Sequence, residues 1–149
     1  MVKTLGYMLT FTTYGTWLQG NKRGYVKNGK IHTGNKMLLR TNEKLQTQNA
    51  VRLTKVQQQI VRDAIVKQAK LLGQKIYALS MQSNHVHIVV EYIPQPIGRI
   101  AAYYKNAARL ALKDQGHNGK VWTAGYDKRF CFDRMTLEQK IKYVQNHNK

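Results

Sequence analysis

The sequence predicts an α+β fold in which helices pack on one face of an antiparallel β-sheet. The first observation behind this prediction is the order of the elements, which runs strand, hairpin, helix, strand, strand, helix, strand and helix. The second is the length, because 149 residues without a repeat or a linker are most simply one domain with a hydrophobic core. A hydrophobic content of 42% fits a globular protein of this kind. We therefore expect a single domain over residues 1–149.

The first elements are a strand and a glycine-rich hairpin. The segment Leu5–Thr13 is β-branched and aromatic, which predicts a strand. Residues 15–36 combine glycines with basic side chains, and Asn28-Gly29 between two short extended runs is a strong signal for a two-residue hairpin. We predict a basic hairpin insertion at about residues 15–36 that contacts nucleic acid. A solvated surface ribbon is the alternative. The basic residues singled out in this segment are Lys22, Arg23, Lys27 and Lys30.

A long helix and a strand are predicted next, over Thr54–Leu72 and Lys75–Gln82. Thr54 and Gln57 have the spacing of a capping box, and Gly73 is a typical residue to end a helix. Apolar residues at helical spacing predict the buried stripe of this helix, which comprises Val56, Ile60, Ala64, Leu71 and Leu72.

The following strand carries two histidines within the apolar run Asn84-His85-Val86-His87-Ile88-Val89-Val90. Because side chains alternate along a strand, His85 and His87 are predicted to share one face, and the apolar residues at 86, 88 and 90 to be buried on the other. Two imidazoles on one face are half of a metal site, whereas packed or solvated histidines are the alternative. Pro94 and Pro96 end this strand.

A second long helix is predicted over Ile97–Gln115. Its buried face comprises Ile97, Ile100, Ala101, Tyr104, Ala108, Ala111 and Leu112. Lys105, Arg109 and Lys113 recur every four residues on a different face, which gives a positive ridge suited to a phosphate backbone. A solvated helix face is the alternative.

The C-terminal part is predicted to be extended over Val121–Asp133 and helical from Thr136 onward. Thr136 and Gln139 have capping-box spacing. The apolar stripe of this last helix comprises Leu137, Ile141 and Val144. Tyr143 and His147 lie off that stripe and are four residues apart, so they share another face of the helix.

Charge points to a polyanionic partner, because 25 Lys and Arg residues against 7 acidic residues give a net charge of +18. Nucleic acid is favoured over a membrane surface, since no basic amphipathic helix is evident. The acidic residues are scattered singly, which argues against a carboxylate cluster that holds two metal ions.

The cellular setting is predicted from the cysteine count and from targeting signals. The chain has one cysteine, Cys131, which excludes an internal disulfide. Neither a signal peptide nor a membrane span is evident in the sequence, so we expect a prokaryotic cytoplasmic setting.

Tyr143 is the best candidate nucleophile among nine tyrosines, because it alone pairs with a possible metal ligand, His147. A phenol with a pKa near ~10 is a poor nucleophile, and a divalent metal can assist it by polarising the phosphate under attack. Tyr126 is the second candidate nucleophile.

Two other kinds of histidine site fit the sequence less well. A histidine-triad hydrolase would need a histidine at position 89, which is Val89, and a zinc site would need a thiolate or a further close histidine, whereas Cys131 is isolated.

The motifs resemble those of the single-tyrosine HUH transposases and the REP-associated tyrosine transposases. His85-Val86-His87 is similar to the histidine-hydrophobic-histidine motif, and Tyr143-Val144-Gln145-Asn146-His147 is similar to the tyrosine helix. The segment Thr12-Thr13-Tyr14-Gly15-Thr16-Trp17-Leu18, followed by Arg23-Gly24-Tyr25-Val26, is similar to the opening of one branch of the family. The three motifs occur in the family's order over most of the chain.

The resemblance implies a ferredoxin-like or RRM-like HUH nuclease core that cuts and rejoins single-stranded DNA near hairpins. It implies a 5′-phosphotyrosine intermediate on Tyr143 and one Mg²⁺ or Mn²⁺ held by His85, His87 and a third side chain on the tyrosine helix. That third ligand is usually glutamine. Here His147 is favoured by its spacing, with Gln145 and Asn148 as alternatives.

The resemblance also implies a homodimer, and a DNA-acting protein is expected to be nucleoid-associated. A non-catalytic module that binds structured DNA, or a host-domesticated relative, is the competing interpretation of the same basic surfaces.

Overall fold

Four antiparallel strands form the main sheet, in the order β4 (Ile76–Met81), β5 (His85–Glu91), β1 (Gly6–Thr12) and β6 (Asp127–Cys131). The structure is a computed structural model, and it describes residues 3–16, 25–27, 30–32 and 50–147. The strands are β1 Gly6–Thr12, β2 Tyr25–Lys27, β3 Lys30–His32, β4 Ile76–Met81, β5 His85–Glu91 and β6 Asp127–Cys131. The helices of the described residues are α1 Lys55–Leu72, α2 Ile97–Asp114 and α3 Arg134–Asn146. The predicted α+β fold with helices packed on an antiparallel sheet is confirmed.

Helices cover both faces of the sheet, so the expectation of a single covered face is wrong. On one face, α1 and α2 contribute to a large cluster of buried residues that includes Leu9 of β1 and Ile88 of β5. On the other face, Met8 and Val89 pack in a smaller cluster with Leu137 and Val144 of α3. The physical reason is that β1 and β5 carry apolar residues at consecutive positions, so each face of the sheet has apolar surface to bury. The histidines of β5 therefore face α3 and not solvent alone.

The predicted limits of α1 are confirmed, but its predicted buried stripe is only partly so, since Ile60 and Leu72 pack against the core while the fully buried apolar residues are others. Thr54 caps the helix and forms the capping box with Gln57, and Gly73 ends it in the left-handed conformation with φ of 68°. The apolar residues that are buried are Val61, Ile65 and Ala69. Two residues of the predicted stripe are largely exposed, Val56 at 71% and Leu71 at 73%. The stripe at 61, 65 and 69 follows a strict four-residue spacing, and it is this face that packs against α2 and the sheet.

The other two helices agree with the prediction except at the start of α3. The buried residues of α2 are Ile100, Ala101, Tyr104, Ala108 and Leu112, all within the predicted face. Helix α3 begins at Arg134, and its N-cap is Asp133, whose Oδ1 accepts a hydrogen bond of 2.7 Å from the Thr136 backbone N–H. The predicted capping box that begins at Thr136 is therefore wrong, because Asp133 supplies a better N-cap three residues earlier.

The predicted hairpin is present as a separate two-stranded sheet of β2 and β3, in which Lys27 is opposite Lys30. The turn residues Asn28 and Gly29, together with Lys22 and Arg23, lie outside the described residues. The predicted extended segment before α3 contains β6 and an isolated bridge from Trp122 to Thr13. Within the described ranges, no helix is both long enough and apolar enough to cross a membrane.

Candidate active site

Three imidazoles and a phenol converge on the face of the sheet that α3 covers. Strand β5 contributes His85 and His87, and the end of α3 contributes Tyr143 and His147. One ring nitrogen from each of the three histidines lies within 4.8 Å of the other two. The Tyr143 ring centroid is 4.4 Å from that of His147 and 5.7 Å from that of His87. Residues about 60 positions apart in the sequence are thus assembled by one helix docking on one strand.

The Nδ1 atom of each histidine has a hydrogen-bond partner in the protein. His85 Nδ1 is 2.8 Å from the Asn84 side-chain oxygen, and His147 Nδ1 is 3.1 Å from the Tyr143 carbonyl oxygen. His87 Nδ1 is 2.8 Å from Thr10 Oγ1. The amide oxygen beside His85 and the carbonyl oxygen beside His147 only accept, so they favour the tautomer with a proton on Nδ1 and the lone pair on Nε2, whereas the Thr10 hydroxyl can donate to His87 Nδ1 or accept from it. Metal-ligating histidines usually have such a partner on the other ring nitrogen, so these rings are oriented as ligands would be.

The pKa of His87 is lowered to about 4, chiefly by burial and secondarily by the nearby His85 and His147 imidazoles, while the Asp127 carboxylate opposes them. His87 is only 9% exposed, which explains why desolvation is the largest cause. Asp127 faces this side of the sheet because it pairs with Thr10 across the β1–β6 ladder. His87 is therefore neutral near pH 7, which is the form that can donate a lone pair to a metal ion.

A cleft of about 440 Å³ opens beside these groups. In addition to the three histidines and Tyr143 it is lined by Thr10, Thr12, Thr16 and Asn84. Sequence reasoning did not assign these four residues to the site. One sequence signal concerns Thr10 and Thr12, because they alternate with apolar residues on β1; their pairing with His87 and His85 follows only from the β1–β5 register.

Tyr143 is accessible as well as close to the histidines. Its side chain is 46% exposed, so a polymer can reach the hydroxyl. Lys140 precedes it by one helical turn, with its Nζ 5.9 Å from the Tyr143 ring centroid. The second candidate, Tyr126, lies elsewhere: its hydroxyl is 3.4 Å from the point where a Cβ on Gly98 would be, at the start of α2 on the opposite face of the sheet.

The position of His147 depends on the turn between β4 and β5. Gln82 in that turn donates a hydrogen bond of 2.8 Å from Nε2 to the His147 carbonyl oxygen. His147 is the C-cap of α3. Of the two alternative third ligands, Gln145 is exposed and does not line the cleft, and Asn148 lies outside the described residues.

The predicted ridge of Lys105, Arg109 and Lys113 lies on α2, which packs on the sheet face opposite the histidines. Lys105 has a structural contact that the sequence did not indicate, because its Nζ donates to the carbonyl oxygens of Thr123 at 2.9 Å and Gly125 at 2.8 Å. Burial also lowers the pKa of Lys105. Arg109 donates to Asn106 at 2.7 Å, and Lys113 is exposed. The side chains of Lys27 and Lys30 are not among those that the structure describes.

Comparisons with known proteins agree with this architecture. The chain matches the family model described as Transposase IS200 like over residues 38–147. It is similar to the solved structure of a REP-associated tyrosine transposase bound to a REP hairpin, with a TM-score of 0.60 and 12% identity, covering 96% of this chain and 66% of that one. It is also similar to a candidate transposase from Deinococcus radiodurans R1, with a TM-score of 0.50 and 17% identity, covering 99% and 93%. None of the curated proteins compared with the chain matches it. At these identities the two structures support the fold alone.

Proposed function

Because the chain belongs to the IS200-like transposase family, we propose that it cuts and rejoins single-stranded DNA with Tyr143 as the nucleophile. The observation that carries the proposal is the convergence of Tyr143 with three histidines in one accessible cleft. A protein that only binds DNA has no use for a phenol beside three imidazoles whose Nδ1 atoms are all hydrogen-bonded.

The residues present fit a divalent metal ion, which His85, His87 and His147 would hold. Three imidazoles with nitrogens within 4.8 Å of one another are a suitable donor set. Such an ion, when bound, acts as a Lewis acid that polarises the phosphate under attack and offsets its developing negative charge. Since imidazole suits later transition metals better than it suits Mg²⁺, we propose that Mn²⁺ binds more tightly than Mg²⁺.

The proposed reaction is an exchange of one phosphate ester for another. The Tyr143 Oη attacks a backbone phosphorus, the Oη–P bond forms, and the bond from phosphorus to the 3′ oxygen breaks. The phenol proton leaves to solvent, and the departing 3′ oxygen takes up a proton to become a hydroxyl. The product is a 5′-phosphotyrosine, and attack by a 3′-hydroxyl on it reverses the steps and joins the DNA without ATP.

We propose that the substrate is single-stranded DNA next to a hairpin. A net charge of +18 supports a polyanionic substrate, and the similar REP-associated transposase is bound to a REP hairpin. The basic residues proposed to contact this DNA remain Lys22, Arg23, Lys27, Lys30, Lys105, Arg109 and Lys113.

A covalent-adduct assay tests the nucleophile. Hairpin-containing oligonucleotides are incubated with the protein and Mn²⁺, and denaturing gels are run with the label at either the 5′ or the 3′ end. We expect the 3′-labelled fragment to migrate with the protein and the 5′-labelled fragment to be released. Tyr143→Phe should abolish the adduct, whereas Tyr126→Phe should retain it, because Tyr126 lies at α2 on the other face. An adduct that persists in Tyr143→Phe contradicts the proposal, and a wild type that binds DNA but never forms one favours the non-catalytic binding module.

Chelation separates chemistry from binding. We expect EDTA to abolish the adduct while leaving salt-sensitive DNA binding largely intact, since the basic residues do not depend on the metal. Lys113→Gln should weaken binding on all sequences and reduce the salt slope by about 1, because Lys113 is exposed. If chelation removes adduct formation and binding together, the proposed division between the cleft and the basic surfaces is wrong.

We further propose a homodimer in which each chain uses its own tyrosine. The use of its own tyrosine is supported by the packing of α3 on β4 and β5 of the same chain, where Tyr143 lies against His87; the dimer itself is proposed from the resemblance to the family. Light scattering measures the molar mass in solution and so tests for the dimer. Mixing His87→Ala protein with Tyr143→Phe protein tests whether each tyrosine works with the histidines of its own chain. Recovered activity in the mixture would show that it works with the histidines of the partner and would contradict the proposal.

A further inference from the structure

The edge strand β6 and the residue on either side of it carry alternate residues that form an exposed row, Tyr126, Lys128, Phe130 and Phe132, which we call the aromatic edge. Cross-strand partners share a face, and Phe130 is opposite Tyr7 of the main core, so the row faces the α1–α2 side of the sheet. Tyr126 agrees, since its hydroxyl lies at the start of α2. The residues between them face the histidine side, where Asp127 is opposite Thr10.

Two phenylalanines on this edge are stacked and open to solvent. The ring centroids of Phe130 and Phe132 are 5.8 Å apart with an interplanar angle of 22°. Phe130 is 39% exposed and Phe132 is 51% exposed. The Nζ of Lys128 lies 5.7 Å from the Phe130 ring centroid. Proteins that bind single-stranded nucleic acids use exposed aromatic rings beside a cation, because the rings stack on the π faces of the bases and the cation attracts the phosphates.

We propose that the aromatic edge is a base-stacking subsite for the single-stranded DNA that flanks the reacting phosphate. This inference rests on the proposed function for the identity of the polymer. Charge favours a polyanion as the occupant: the charged member of the row is the cation Lys128, and with +18 overall a second copy of this protein would be repelled and a polyanion attracted.

The aromatic edge is within reach of the cleft. Asp127 at the start of β6 is opposite Thr10, and Thr10 contacts His87. At about 3.3 Å per residue, Phe130 and Phe132 lie about 10 and 17 Å further along the strand. With stacked nucleotides about 3.4 Å apart, a strand that leaves the cleft and turns over this edge places its bases on the rings about three to five nucleotides from the reacting phosphate.

Equilibrium binding to single-stranded oligonucleotides tests the subsite. Phe132→Leu and Phe130→Leu keep an apolar side chain and remove the π face, and each should weaken binding about ten-fold. Tyr103→Leu is the matched control, because Tyr103 on α2 is 40% exposed and lies outside the row. In parallel, 2-aminopurine is placed at successive positions along the oligonucleotide. We expect quenching at the third to fifth nucleotide that Phe132→Leu relieves and the control does not.

The outcomes distinguish this inference from the proposed function. If the wild type forms the Tyr143 adduct and the phenylalanine variants bind and quench like the control, the subsite is refuted while the function stands. If the variants lose binding and quenching although the wild type forms no adduct, the subsite stands and the function fails. If sedimentation shows that Phe132→Leu instead converts a dimer to monomers, the edge is a self-interface and the inference is overturned.

Discussion

Replacing Gln74 by leucine should destabilise the protein more than a single lost hydrogen bond would. Gln74 is 4% exposed and lies between α1 and β4. Its Nε2 donates to the Tyr7 hydroxyl at 3.0 Å and to the Glu91 carbonyl oxygen at 2.9 Å. Its Oε1 accepts a hydrogen bond from the Tyr104 hydroxyl. One amide therefore joins β1, the end of β5 and α2 inside the core.

The magnitude follows from which groups are left without partners. In Gln74→Leu the hydroxyls of Tyr7 and Tyr104, both 0% exposed, lose this partner. At about 1–3 kcal/mol for each of the two buried hydroxyls, the loss is about 2–6 kcal/mol. Tyr104→Phe leaves only the Gln74 Oε1 without its donor, which costs about 1–3 kcal/mol. In the double variant the hydroxyl and the amide disappear together, so its cost should be smaller than the sum by about 1–3 kcal/mol.

Urea unfolding followed by circular dichroism measures all three variants and the exposed control Tyr103→Phe, which should change the free energy of unfolding by less than about 0.5 kcal/mol. Burial raises the pKa values of Tyr7 and Tyr104, so both hydroxyls stay protonated through neutral pH. Costs that add to within about 0.5 kcal/mol would show that the amide and the Tyr104 hydroxyl are not coupled, and would refute this account of the core.

Three further predictions concern the site and its support. Adduct formation should need less Mn²⁺ than Mg²⁺, measured by titrating each metal, because the proposed ligands are imidazoles. In EDTA, the unfolded state should bind more protons than the folded state between pH 6.5 and 4, since the pKa of His87 is lowered to about 4. The contribution of neutral His87 to the free energy of unfolding should thus be fully present above pH 6.5 and be lost toward pH 4, a decrease on the order of 3 kcal/mol. His87→Gln should flatten this pH dependence. Gly6→Ala should lower the melting temperature strongly, because the new Cβ would meet the Val90 carbonyl oxygen at 2.5 Å.

The elements that the sequence predicts well are those determined by local contacts. Helix α1 matches because Thr54 and Gln57 satisfy backbone groups one turn apart and Gly73 adopts a positive φ, both within a few residues. The shared face of His85 and His87 follows from strand geometry alone. The shared face of Tyr143 and His147 likewise follows from one helical turn.

The features that the sequence does not predict depend on residues far apart in the chain. Which face of α1 is buried depends on its contact with α2. Gln58 lies on that face, and its burial is compensated by the hydrogen bond of 3.0 Å that its Nε2 donates to the Leu53 carbonyl oxygen. A hydrophobicity pattern counts Val56 as core and Gln58 as surface, and both are reversed. The partner of His87, Thr10, is 77 residues away and is found only once the β1–β5 register is known.

The two halves of the candidate site differ in how firmly the fold holds them. His85 and His87 lie on β5, which is paired on both sides by β4 and β1. His147 lies at the end of α3, where helices fray most readily, and it is held by the Gln82 hydrogen bond and by the packing of Val144 one turn earlier. A cation that contacted all three imidazoles would bind only the docked helix and would therefore stabilise that state. Because the nucleophile is one turn from the third ligand, the same contact would also fix the position of the attacking oxygen.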